Sequence, residues 1–226
     1  MTDIIRKNNF IWLTLALIGM LLTGAFTREL PESNSLQILE YSSIILMLVS
    51  LRSLRKNRTW LRAVITVIGI TLLVVIVHST TNRDYLEFAY LSLMFLFFTS
   101  AAWLVGSEVL LTGSVDINKI VGSVALYFLL AMIWAIFYTV LLEFSPEAMK
   151  GMEAGNWVDN IFVMNYFSFV TLTTLGYGDI SPLTPTAEVL VILEAVTGMF
   201  YLAVVVASLI GGMKHKREQM NSSREP

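Results

Sequence analysis

From Thr173 to Asp179 the chain reads Thr-Thr-Leu-Gly-Tyr-Gly-Asp, two glycines alternating with bulkier residues behind a pair of threonines. In an ordinary strand successive residues face opposite sides. Aiming successive carbonyls one way demands backbone angles that a Cβ resists, and Gly176 and Gly178 supply positive φ without that penalty. A row of carbonyl oxygens on one side of a chain is a ladder of uncharged oxygen ligands, suited to a cation that has shed its water. Gly-Tyr-Gly alone is an ordinary turn, so the surrounding elements decide. Other chemistries lack their parts. The chain has no cysteine, which excludes disulfides, thiolate metal sites and cysteine nucleophiles. It holds no nucleophile–base set, metal cluster or phosphate loop and no basic stripe for nucleic acid. The expectation is a non-enzyme with no catalytic residues and no cofactor.

The elements that position this string lie in lipid. Of 226 residues, 56% are apolar and 14% charged, against roughly 45–50% and about 25% in soluble domains. One small globule cannot bury that excess. Crossing ~30 Å of hydrocarbon takes about 20 mostly apolar helical residues. Six runs are candidates: 10–26, 36–51, 61–78, 86–105, 117–144 and 187–212. Between the last two lies a shorter apolar stretch, 157–172, which is too short to cross and return and runs into the glycine-rich turn. Such a segment is re-entrant and must be sheltered by protein rather than lipid. The expected fold is all-α and integral to the membrane, with six transmembrane helices plus a re-entrant helix.

Basic residues set the orientation. With the N-terminus inside, the inner segments hold twelve: Arg6, Lys7, Arg52, Arg55, Lys56, Arg58, Arg62, Lys119, Lys214, Lys216, Arg217 and Arg224. The outer segments hold three: Arg28, Arg83 and Lys150. This is the inside bias of membrane proteins. It predicts cytoplasmic termini, a plasma (cytoplasmic) membrane location, and a re-entrant segment entering from outside. Arg6-Lys7, an apolar run and Thr23-Gly24-Ala25 also fit a cleavable signal peptide. That run is long for a signal core, however, and Phe26 would follow the cut.

The string Thr171-Leu172-Thr173-Thr174-Leu175-Gly176-Tyr177-Gly178-Asp179-Ile180-Ser181-Pro182 resembles the pore signature of the potassium-channel superfamily. The core of that signature is Thr-Val-Gly-Tyr-Gly, and here Leu175 replaces Val. The resemblance runs from about Asn156 to Gly212, roughly a quarter of the chain. It is strongest to prokaryotic six-transmembrane-helix potassium channels with one pore loop and no charged voltage-sensing fourth helix. It implies that 157–172 is a pore helix and that Thr174, Leu175, Gly176, Tyr177 and Gly178 form a selectivity filter. Potassium would be held by the carbonyls of Thr174, Leu175, Gly176 and Tyr177, with the Thr174 hydroxyl innermost. A ring of carbonyls takes four strands, so a homotetramer around a central pore is expected. The Leu175 side chain is expected to pack behind the filter, against the pore helix.

The resemblance assigns supporting roles as well. Thr173 and Asp179 flank the filter, and the acid bonds an aromatic N–H in voltage-gated relatives; Tyr166 and Phe167 stand at those aromatic positions. The Tyr166 hydroxyl is therefore expected to bond Asp179. Val170 stands where some bacterial relatives carry a pore-helix Glu. Gly198, nineteen residues after Asp179, falls at a gating hinge. Close packing with a neighbouring helix is the alternative reading of Gly198. No Pro-Val-Pro kink follows, and Leu202 and Val206 are candidate cavity-lining residues. Glu194 needs no resemblance to stand out, because a carboxyl inside a membrane helix is expensive and is a functional candidate by default. It is expected either to brace the pore helix or to line the ion path. Glu188, Glu40 and His78 are read as interfacial or paired groups. Glu147, Glu153 and Asp159 are read as a solvated outer turret.

The expected organisation is a four-helix transmembrane domain at 1–112, a pore domain at 113–213 and a short cytoplasmic tail at 214–226. The tail is too short for a nucleotide-binding or calcium-sensing domain. The four helices stand where a voltage sensor would, yet the fourth run contains no Arg or Lys. Gating charge of the usual kind is absent. Arg52, Arg55 and Arg58 do repeat every third residue, but they follow the second run. With Lys56 and Arg62 they read as an inside anchor in contact with anionic lipid. The functional expectation is a passive potassium-selective channel not gated by conventional sensor charges. The alternatives are a non-selective cation channel, a channel-like transporter, which usually carries four degenerate loops, and a non-conducting sensor retaining a pore fold.

Overall fold

The computed structural model describes residues 9–27, 35–53, 58–81, 85–111, 116–153 and 155–222. Arg55 and Lys56 of the inner basic cluster lie outside them, and so do the side chains of Arg52, Arg58, His78 and Val206. Seven helices and two short strands follow in order: α1 (Phe10–Thr27), α2 (Ser35–Ser53), α3 (Arg58–Thr81), α4 (Tyr85–Leu111), α5 (Ile117–Phe144), β1 (Met149–Lys150), α6 (Trp157–Leu172), β2 (Ser181–Pro182) and α7 (Pro185–Ser222). Every apolar run of the sequence is helical. Among the described residues three helical stretches are long and apolar enough to cross a membrane: Leu86–Leu110, Ile117–Phe144 and Pro185–Val205. The other three runs are the shorter apolar helices Phe10–Phe26, Ile38–Leu51 and Leu61–Val77. At 1.5 Å per residue, 17 residues reach about 26 Å, slightly less than a hydrocarbon core. α7 continues past 213 to Ser222 without a break.

Local chemistry sets the starts of α5 and α6. Asp116 caps α5, its carboxylate accepting from the Lys119 N–H at 2.9 Å. Asn156 caps α6 in the same way, accepting from the Asp159 N–H at 3.0 Å. Each side chain satisfies a backbone donor that the first helical turn leaves open.

α1 and α4 pack on α5, and α2 and α4 reach α6. Phe10 of α1 is fully buried over Gly122 of α5, where a Cβ would lie 2.5 Å from the Phe10 ring. The Phe10 N–H donates to Asn118 Oδ1 at 2.9 Å. The Thr14 hydroxyl lies 2.9 Å from the Phe10 carbonyl and 3.3 Å from that of Val121. From α4, the Tyr90 ring stands 5.5 Å from that of Trp157, the first residue of α6. The Tyr90 hydroxyl donates to Ser43 of α2 at 2.8 Å.

A small feature between α5 and α7 carries no periodic signal in the sequence. Two-residue strands β1 and β2 pair antiparallel, with Met149 opposite Pro182 and Lys150 opposite Ser181. The Leu183 N–H donates to the Ala148 carbonyl at 2.8 Å. The loop after α5 is thereby stitched to the segment leaving the Gly-Tyr-Gly string. Gly151 ends the stitch with φ +89°, and a Cβ there would lie 1.7 Å from the Asp179 carbonyl oxygen. Backbone cannot yield to that overlap, and a left-handed non-glycine residue costs about 1–3 kcal/mol. Gly151→Ala is therefore expected to lower the thermal unfolding midpoint of the purified protein and to loosen residues 179–183. Limited proteolysis of that segment checks the second effect, and an unchanged midpoint would contradict the contact.

Candidate functional site: the turn after α6

The string Thr173 to Asp179 leaves the C-terminal end of α6 as an extended, exposed turn. Its backbone alternates in hand. Thr174 has φ +59°, Gly176 +56° and Gly178 +78°, and among the described non-glycine residues Thr174 is the one with positive φ. Alternation of left- and right-handed residues gathers successive N–H groups on one side, as in anion-binding nests. It turns the carbonyls to the opposite side. The amides have a partner here: the Leu175 and Gly176 N–H groups both reach the Val170 carbonyl, at 3.0 and 3.3 Å. The Thr174 N–H donates to the Thr171 carbonyl at 2.9 Å. The end of α6 thus takes up the amides of Thr174, Leu175 and Gly176. Thr173 caps α6, its backbone N–H meeting the Phe169 carbonyl at 3.0 Å and its hydroxyl the same carbonyl at 2.7 Å.

The side chains of the string face outward in the single chain. Leu175 is 57% exposed and Tyr177 66% exposed.

Tyr166 and Asp179 meet. The Tyr166 hydroxyl donates to Asp179 Oδ2 at 2.6 Å. This bond, with smaller help from backbone N–H groups, holds the Asp179 carboxyl below the usual carboxylate range. The same bond raises the Tyr166 phenol. Phe167 takes no part in it; the ring is buried edge-on against Tyr138, with centroids 5.1 Å apart.

α7 approaches the far end of α6 at two levels. Glu194 is fully buried, with one carboxyl oxygen 2.5 Å from the Ser168 hydroxyl of α6 and the other accepting from the Tyr138 hydroxyl of α5 at 2.7 Å. One turn on, Gly198 is pressed to the backbone of α6. A Cβ there would lie 2.2 Å from the Leu172 carbonyl oxygen. That contact accounts for a glycine by packing alone, and α7 is helical on both sides of it. Leu202 is exposed on α7. Sequence reasoning did not reach Ser168, Tyr138 or the Val170 carbonyl. Ser168 and Tyr138 lie 26 and 56 residues from Glu194, and no local pattern joins them. The one available signal was the buried acid itself, which requires donors.

Residues 123–213 match the family model described as ion channel. Two-pore potassium channel 4 of Arabidopsis thaliana is 35% identical over 74 residues, which are 33% of this chain and 25% of that protein. Two-pore potassium channel 5 of the same plant is 29% identical over 80 residues, 35% of this chain and 19% of that protein. The inward rectifier potassium channel Kirbac3.1 of Paramagnetospirillum magnetotacticum is 42% identical over 64 residues, 28% of this chain and 20% of that protein. The chain thus spans a quarter or less of the length of these relatives. The family match takes in α6, the turn after it and most of α5 and α7.

Because the bond from Tyr166 depresses the Asp179 pKa, the bonded form persists above the ordinary carboxylate range and is lost as pH falls through the depressed value. Tyr166→Phe is expected to return the Asp179 pKa toward the ordinary range, so that the carboxyl protonates at higher pH. A titration of carboxyl-labelled aspartate by NMR, compared with Asp179→Asn for assignment, checks it. An unmoved Asp179 titration would contradict the bond.

Proposed function

We propose that the chain is one subunit of a homotetrameric potassium channel, in which the strand Thr174 to Gly178 is the selectivity filter. The observation that carries this reading is the positive φ at Thr174, Gly176 and Gly178, with the Leu175 and Gly176 amides taken up by the Val170 carbonyl. That backbone offers oxygens and no charge, which suits a monovalent cation moving between closely spaced sites. Four strands complete each ring of ligands around the ion. Potassium is coordinated by the carbonyls of Thr174, Leu175, Gly176 and Tyr177 and by the Thr174 hydroxyl, and it moves passively down its gradient.

The exposed apolar faces support assembly. Val189, Ile192, Met199 and Phe200 on α7 are each more than half exposed in the single chain, beside a filter strand exposed along its length. Neighbouring subunits cover both. The three shorter helices complete six crossings, 1–112 forming the four-helix domain and 113–213 the pore domain, with both termini in the cytoplasm of a plasma membrane. The cluster Arg52, Arg55, Lys56, Arg58 and Arg62 rests on anionic lipid headgroups. Moving one charge through the membrane field is worth ~2.3 kcal/mol per 100 mV; α4 carries no Arg or Lys, so opening does not draw on such charges. Gly198 is the point about which α7 bends on opening, and Leu202 and Val206 line the cavity below the filter.

Potassium flux through the purified protein in liposomes, with sodium as competitor, tests the reading. A large potassium preference is expected, and Gly176→Ala is expected to reduce it about tenfold or more, because φ +56° strains any residue with a Cβ by about 1–3 kcal/mol. Tyr166→Phe is expected to hasten the decay of flux. Equal potassium and sodium flux would make the protein a non-selective cation channel. Absence of flux at all voltages and pH values would make it a non-conducting membrane protein with a pore fold.

A further inference from the structure

Glu194 sits where a charge is hardest to keep. Its side chain is fully buried in the spanning part of α7, and both partners of its carboxyl are neutral hydroxyls, Tyr138 and Ser168. Among the described residues the other titratable group within electrostatic reach is Tyr127 of α5, also neutral at physiological pH. A carboxylate buried without a countercharge is costly enough that such groups neutralise instead.

Counting protons sharpens this. The Ser168 hydroxyl oxygen lies 2.7 Å from the Ala131 carbonyl oxygen and 2.5 Å from Glu194 Oε1. Both distances are hydrogen-bond distances between oxygens, so two protons are needed. Serine has one, and a backbone carbonyl has none. If Ser168 donates to Glu194, its oxygen faces the Ala131 oxygen as a bare acceptor. If Ser168 donates to Ala131, the second proton has to come from the carboxyl. The geometry points to the second arrangement: we infer that Glu194 is held as a neutral carboxylic acid that donates to Ser168. Ser168 in turn donates to Ala131, while Tyr138 donates to the other carboxyl oxygen.

This proton joins three helices behind the filter. The relay runs from α7 through α6 to α5. Ser168 precedes by two residues the Val170 carbonyl that takes the Leu175 and Gly176 amides. If the proton is lost, Ser168 must turn from Ala131 to the new carboxylate, and α6 loses this hydrogen bond to α5. Glu194 is therefore a positioning residue for the filter, which rests on the filter reading proposed above.

Infrared spectroscopy of the full chain in lipid, wild type against Glu194→Gln, tests the proton directly. The expected result is a carboxylic-acid carbonyl stretch present in wild type at neutral pH and missing from the variant. If the variant loses a carboxylate band instead, the inference is overturned. In the flux assay Glu194→Ala is expected to reduce the potassium preference about tenfold, as for a buried hydrogen-bond partner removed. Glu194→Gln, whose amide can donate to Ser168 and accept from Tyr138, is expected to rescue most of it. A Gln variant as impaired as the Ala variant would overturn the positioning role. If wild type conducts nothing, the filter reading fails, and the infrared band still decides the proton.

Discussion

A backbone that turns its carbonyls to one side must send its amides somewhere, and in this chain they go to the end of α6. The Val170 carbonyl takes two of them, from Leu175 and Gly176. That oxygen is available because it belongs to the last turn of a helix, where carbonyls have no intrahelical partner. An α6 that continued one turn further would consume it. The stop at Leu172 and the threonine cap at Thr173 therefore do more than end a helix. They expose the acceptors that let the next residues adopt alternating hand. Thr174 takes a left-handed conformation that is strained for a β-branched residue. Its amide bond to Thr171 helps hold it there, and the strain lies at the position where the proposed ion path begins.

The remainder of the chain holds the end of α6 still. β1, β2 and Gly151 grip the outer side, Tyr166 reaches Asp179, and α7 presses Gly198 to the Leu172 carbonyl. These contacts involve different elements and different chemistry: a ladder, a phenol–carboxylate bond and a backbone-to-backbone contact. A small displacement of α6 would have to break several of them together. Trp157 meets Tyr90 of α4 at the other end of the helix, so the first four helices bear on the start of α6 while α7 bears on its end. Any motion of α4 has a direct contact through which to act on α6, and α4 carries no Arg or Lys.

What could be read from sequence divides along physical lines. Helices were legible because each apolar run is longer than any strand of a soluble fold. The hand at Gly176 and Gly178 was legible because glycine is the residue that tolerates it. Thr174 was not, since a threonine gives no sign that its φ is positive; the sign is imposed by the acceptors behind it. β1 and β2 were invisible because two residues cannot show a period of two. Three of the six apolar runs are short as helices, so the number of crossings still rests on the pattern of charge and hydropathy.

Glu194 shows how far such a reading can go. Its position alone says that an acid inside an apolar helix needs donors, and that expectation holds wherever the donors come from. Which donors they are depends on how α5, α6 and α7 cross. A serine 26 residues away and a tyrosine 56 residues away have no sequence relation to the acid. Once the crossing is known, counting leads further than either source alone: three oxygens at hydrogen-bond distances, one hydroxyl proton between them, and a carboxyl that must provide the second. A hydrophobic residue at 194 would fill the space without leaving buried donors only if Ser168 and Tyr138 changed with it. The acid, the serine and the tyrosine are thus a single unit distributed over three helices, and its serine stands two residues before the carbonyl that takes the Leu175 and Gly176 amides.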